Sequence, residues 1–127
     1  HEVVFSSLYK KRESIISELY QKMISCIDGS VHRFDFIKDN PSEDFYESYK
    51  LVCCDMIDYF DYNRLYFSTS VALEINKVIG LFHNLMNADI SSEEYDSVLF
   101  KIKKYVFDDL EGLFRNMLRS NQVYFQE

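Results

Sequence analysis

The stretch Ser68-Thr69-Ser70-Val71-Ala72-Leu73-Glu74-Ile75-Asn76-Lys77-Val78-Ile79-Gly80-Leu81-Phe82-His83-Asn84-Leu85 decides the fold. Val71, Ile75, Val78, Phe82 and Leu85 recur at steps of four, three, four and three. That spacing places five apolar side chains on one stripe of an α-helix and excludes the two-residue alternation of a strand. Ser68 precedes the stripe as an N-cap, and the helix is expected to run from about 69 to 88.

The same period recurs on both sides. Upstream, Asn63-Arg64-Leu65-Tyr66-Phe67 reads as a short connector, with Asn63 suited to a left-handed helix C-cap. Before it, Phe45, Tyr49, Val52, Met56 and Phe60 form the stripe of a helix over about 41–62. Its start is punctuated by Asn40-Pro41-Ser42-Glu43: an N-cap, a proline at the first helical position and the glutamate of a capping box. Earlier still, Leu8, Ile15, Leu19, Met23 and Ile27 mark a helix over about 5–37. It carries a candidate stop at Asp28-Gly29-Ser30, through which the pattern continues to Val31, Phe34 and Ile37. Downstream, Ser91-Ser92-Glu93-Glu94 is a second capping box. It opens a helix over about 92–119 with Tyr95, Leu99, Ile102, Val106, Leu113 and Met117 on its stripe.

Four amphipathic helices and short connectors predict one all-α domain over residues 1–127, an antiparallel up-and-down four-helix bundle. Composition agrees. In 127 residues there are three Gly and one Pro, too few turn formers for a sheet of short strands, and 47% of the residues are hydrophobic, ample for a core. A domain of this size buries roughly two-thirds of the surface its unfolded chain exposes.

The formal net charge is −7, which argues against a nucleic-acid partner. Lys10-Lys11-Arg12 and Lys101, Lys103, Lys104 are short basic runs, read first as solvated helix faces. No apolar run reaches the roughly 20 residues of a membrane span. Cys26, Cys53 and Cys54 are an odd count with an adjacent pair, a poor disulfide framework, and read as small buried or half-buried hydrophobes in a reducing compartment. Cys53 and Cys54 point about 100° apart on a helix, and there is no Cys-x-x-Cys, so no zinc site is expected. A redox role for Cys53-Cys54 would need an exposed thiol and a nearby cation such as Lys50.

The templates for chemistry fail at named points. Gly29, Gly80 and Gly112 are isolated and make no phosphate loop. His32 and His83 follow glycines, not glutamates, at the spacing a di-metal bundle uses. Neither has the arginine five positions earlier that some helical ribonucleases carry. No catalytic residue, metal ligand or cofactor is assigned, and the expectation is a protein that is not an enzyme. Asp55, Asp58 and Asp61 step by three along one helix, which reads as a solvated acidic face, or else as a cation site or a docking surface for a basic partner.

One segment stands apart. Tyr59-Phe60-Asp61-Tyr62-Asn63-Arg64-Leu65-Tyr66-Phe67 packs five aromatics into nine residues where the chain turns between two helices. It reads as a corner plug or as a recognition patch, since Tyr and Arg are favoured at binding hot spots. The candidate interaction residues are Tyr59, Tyr62, Arg64 and Tyr66.

Arg12-Glu13-Ser14-Ile15-Ile16-Ser17-Glu18-Leu19-Tyr20, together with Tyr59-Phe60 and Asn63-Arg64-Leu65-Tyr66-Phe67, resembles a group of small uncharacterised bacterial proteins. Their cytoplasmic helical domain often follows one N-terminal membrane helix. The resemblance spans nearly the whole chain and implies a helical domain and a cytoplasmic location; the sequence departs from the pattern in carrying no such membrane helix, so either a tether to the inner membrane lies ahead of His1 or this member is soluble. It implies no activity. The functional expectation is a non-enzymatic interaction or accessory domain with an unidentified protein partner, or a homodimer. The alternative is a small-molecule binder in which an aromatic-lined pocket and acidic groups select a cationic ligand.

Overall fold

The structure, a computed structural model, describes the backbone of residues 2–39, 43–87 and 89–126, and the side chains of residues 8–31, 47–87 and 89–120. Every regular element among them is helical: α1 (Glu2–Asp39), α2 (Glu43–Tyr62), a 3₁₀ turn (Arg64–Tyr66), α3 (Thr69–Leu85), α4 (Ser92–Lys104), a π-helical segment (Tyr105–Leu110) and α5 (Glu111–Gln126). The last three run on as one rod, so the architecture is an all-α four-helix bundle. No described helix is long and apolar enough to cross a membrane.

α1 lies against α2 on one side and against the fourth rod on the other, and α3 packs on the rod. Pairs between α1 and α2 run Glu18–Tyr59, Lys22–Asp55, Cys26–Val52 and Ser30–Tyr49, so one number falls as the other rises and the two helices are antiparallel. One core joins all four rods, with Leu19, Met23, Met56, Phe60, Ile75, Phe82, Ile102 and Leu110 fully buried.

Gly29 does not end α1, which passes through it without a break. It lies against Tyr49, whose Cδ2 would stand 3.4 Å from a Cβ built there, about van der Waals contact. The cap expected at Asn40-Pro41-Ser42 lies outside the described residues. Ser68 and Ser91 cap as expected, accepting from the backbone N–H of Val71 (3.4 Å) and Glu94 (3.2 Å). α3 ends at Leu85, earlier than the expected 88.

Asn63 corrects another expectation. Its φ is −111°, outside the left-handed region, and it closes α2 differently. Its backbone N–H and its Nδ2 both donate to the Tyr59 carbonyl, at 3.2 and 2.8 Å. The side chain thereby adds a second bond to a carbonyl of the last turn.

Two core stripes also differ from the sequence reading. On α2 the buried line is Tyr49, Cys53, Met56 and Phe60, and Val52 is 44% exposed. On the fourth rod the line is Tyr95, Leu99, Ile102, Val106, Leu110, Phe114 and Met117, and Leu113 is only half-buried. Three successive steps of four, from Ile102 to Phe114, would carry an α-helix about 120° away from the core. The π segment at Tyr105–Leu110 widens the turn and takes up that surplus, holding Val106, Leu110 and Phe114 inward.

Candidate functional site

The corner between α2 and α3 separates two kinds of aromatic residue. Phe60 and Phe67 turn inward, with ring centroids 5.7 Å apart, and Phe67 continues to Phe114 at 6.1 Å. Phe114 meets Tyr20 of α1 edge-on at 6.3 Å. This chain of rings ties α2, the connector, α5 and α1 together and closes that end of the bundle.

The other side chains face out. Tyr62 is 90% exposed and Leu65 is fully exposed, at 100%. Arg64 is also exposed, with its guanidinium carbon 5.9 Å from the Phe60 ring centroid, so the planar group covers the outer side of the plug. Tyr59 and Tyr66 are half-buried against α1. The Tyr59 hydroxyl donates to Glu18 Oε2 at 2.9 Å, and Lys22 Nζ stands 5.2 Å from the centre of its ring. Lys11 Nζ stands 5.7 Å from the Tyr66 ring. Partial burial, and then the carboxylate of Glu18, push the Tyr59 hydroxyl up to about 12.

The four residues expected to act together are therefore divided. Tyr62 and Arg64 are presented to solvent, while Tyr59 and Tyr66 hold the corner to α1. Leu65 was missed as a candidate. A leucine inside an aromatic run reads as core, and only the 3₁₀ turn at Arg64–Tyr66 turns it outward.

The buried polar chemistry lies midway along the bundle. The Ser30 hydroxyl donates to the Cys26 carbonyl at 2.7 Å and contacts the Tyr49 hydroxyl at 2.6 Å. Serine has one proton to give, so Tyr49 donates to Ser30 Oγ. The Tyr95 hydroxyl donates to the Ser30 carbonyl at 2.7 Å. All three side chains are buried, and burial raises the Tyr49 hydroxyl above its ordinary range. A satisfied network that joins three helices specifies packing.

Cys26 and Cys53 are buried thiols. Contact with the Cys53 thiol, together with burial, raises Cys26, the opposite of the lowered value a reactive thiol needs. Cys54 is exposed, contrary to expectation, because Cys53 takes the core position beside it. The Lys50 ammonium lies 4.0 Å from the carboxylate of Glu47. His83 is exposed on α3, and the side chain of His32 lies outside the described residues. Among the described residues, no group of three metal-ligating side chains converges.

Two open grooves cross the described surface. One, of about 540 Å³, runs between α1 and α2 and is lined by Glu18, Lys22, Leu51, Val52 and Asp55 among others. The second, of about 550 Å³, lies between α3 and the fourth rod, with Glu74, Asp108 and Asp109 in its wall. Neither is lined by an aromatic ring.

No family model, no curated protein and no solved structure matches this chain.

Proposed function

We propose that the chain is a non-enzymatic interaction or accessory domain that engages a protein partner through the corner between α2 and α3. The observation that carries the reading is the pair Tyr62 and Leu65, 90% and 100% exposed beside a plug that Phe60 and Phe67 already complete. Tyr62 and the exposed Arg64 are residue types favoured at binding hot spots, and Leu65 adds apolar surface in water beside them. The resemblance to bacterial proteins with a cytoplasmic helical domain adds the setting: a bacterial cytoplasm, with the domain tethered to the inner membrane. The alternative, a cationic ligand held in an aromatic-lined pocket, draws no support from either groove.

The test is affinity capture from a bacterial host, with wild type beside Tyr62→Ala/Arg64→Ala/Leu65→Ala, the two proteins matched for melting temperature. A protein that co-purifies with wild type and is lost from the equally stable variant supports the proposal. Identical captures, or none, overturn it.

A further inference from the structure

The outer face of α2 carries a stripe diametrically opposite its buried line. Leu51, Asp55, Asp58 and Tyr62 follow at steps of four, three and four, so they stack along one side of the helix. Leu51 is 70% exposed, and Val52 widens that end of the stripe toward the α1–α2 groove. Apolar groups thus stand at both ends, about 16 Å apart by helical rise, with acids between them. Asp55 is engaged by Lys22 at 2.6 Å, whereas Asp58 and Asp61 are exposed and form no ion pair among the described residues.

The fourth rod carries the complement. Phe100 is 68% exposed and Phe107 is 42% exposed, seven residues apart. Lys104 stacks between them at steps of four and three, with Lys101 one turn before it, and neither forms an ion pair among the described residues; Lys103 is half-buried on the other flank. Two phenylalanines about 10 Å apart, with lysines between, fit inside the span of the acidic stripe with charge opposite charge. Elsewhere Lys22, Lys77 and Arg115 are paired with carboxylates, and the exposed Lys10 and Lys11 of α1 have one exposed large apolar side chain beside them among the described residues, Leu8, where the fourth rod has two.

We infer that the chain associates head to tail, the acidic outer face of α2 in one copy seating the lysine-rich outer face of the fourth rod in a second copy. The occupant follows from charge and spacing: the chain itself carries a strip with the apolar–basic–apolar order that the α2 stripe lacks and fits. α2 and the fourth rod flank α1 on different sides, so the two faces of one molecule do not meet one partner together. The contact is heterologous and leaves a free face at each end, so growth continues past a dimer. Each strip is short, which makes the association weak and dependent on concentration. The inference extends the corner reading along α2 and shares only Tyr62 with it.

Three variants test it by sedimentation velocity over a concentration series. Asp58→Lys/Asp61→Lys reverses the α2 face and leaves the Lys22–Asp55 pair intact. Lys101→Glu/Lys104→Glu reverses the other face. The chain with all four changes restores opposite signs and keeps the wild-type net charge of −7. Wild type is expected to gain mean mass beyond a dimer as concentration rises. Each single-face variant should stay at the monomer mass, and the four-fold variant should regain the wild-type behaviour, which also shows that it folds. A wild type that is monomeric throughout overturns the inference. So does association that survives in the single-face variants, or a four-fold variant that stays monomeric. Arg64→Ala/Leu65→Ala, at the corner but off both strips, should self-associate like wild type. Loss of captured partner in that variant with wild-type self-association separates the two readings; absence of self-association with capture intact sinks this one alone.

Discussion

Ser30 is the polar residue on which three helices converge, and its position shows what a buried hydroxyl demands. Ser30→Ala removes two buried hydrogen bonds at once, the acceptor of the Tyr49 hydroxyl and the donor to the Cys26 carbonyl. Tyr49→Phe removes the donor instead, and Ser30 keeps its bond to the Cys26 carbonyl. Ser30→Ala is therefore expected to cost about 1–3 kcal/mol and Tyr49→Phe less, as measured by urea unfolding. Equal costs would mean that the network is not ordered as described. Tyr59 yields a second residue-scale prediction. Its hydroxyl is raised from 10.0 to about 12, so the fold favours the protonated form. The stability it contributes is fully present below about pH 10 and is lost as pH rises toward about 12. Unfolding measured across that window should show a decline that is shallower in Tyr59→Phe. None of this was legible beforehand. Ser30 sat in an apparent helix stop, and a sequence does not tell which of ten tyrosines meets a serine across the core.

At the scale of elements, the helices were legible because their apolar residues recur at three and four and their starts carry Ser caps. What periodicity did not show is where the period changes. Through Ile102-Val106-Leu110-Phe114 the steps are all four, and the reading that kept to an α period moved the core to Leu113. The π segment reverses that assignment. Leu110→Ala is expected to cost about 2–5 kcal/mol in an unfolding titration, as for a buried leucine, and Leu113→Ala clearly less. The opposite order would restore the uninterrupted α-helix. Val52 and Cys53 tell a similar story on α2. Adjacent positions both fit an apolar stripe, and burial of the whole line Tyr49, Cys53, Met56 and Phe60 chooses Cys53, leaving Val52 to offer its carbonyl to the Cys26 thiol at 3.7 Å.

For the whole molecule, one end of the bundle carries two functions in nine residues. Phe60 and Phe67 close the core, and Tyr62, Arg64 and Leu65 stand outside it. The aromatic density of this corner was visible in the sequence, but its division was not. That division depends on the irregular turn from Asn63 to Phe67, whose direction no helical period describes. The account requires the outer residues to be dispensable for folding, and unfolding free energies test this most directly. Phe60→Ala should lose about 3–5 kcal/mol, the loss usual for a buried aromatic. Tyr62→Ala/Leu65→Ala should stay within about 0.5 kcal/mol of wild type for each change. A loss in the double variant comparable to that of Phe60→Ala would make the corner a structural plug throughout and remove the basis for an interaction surface there.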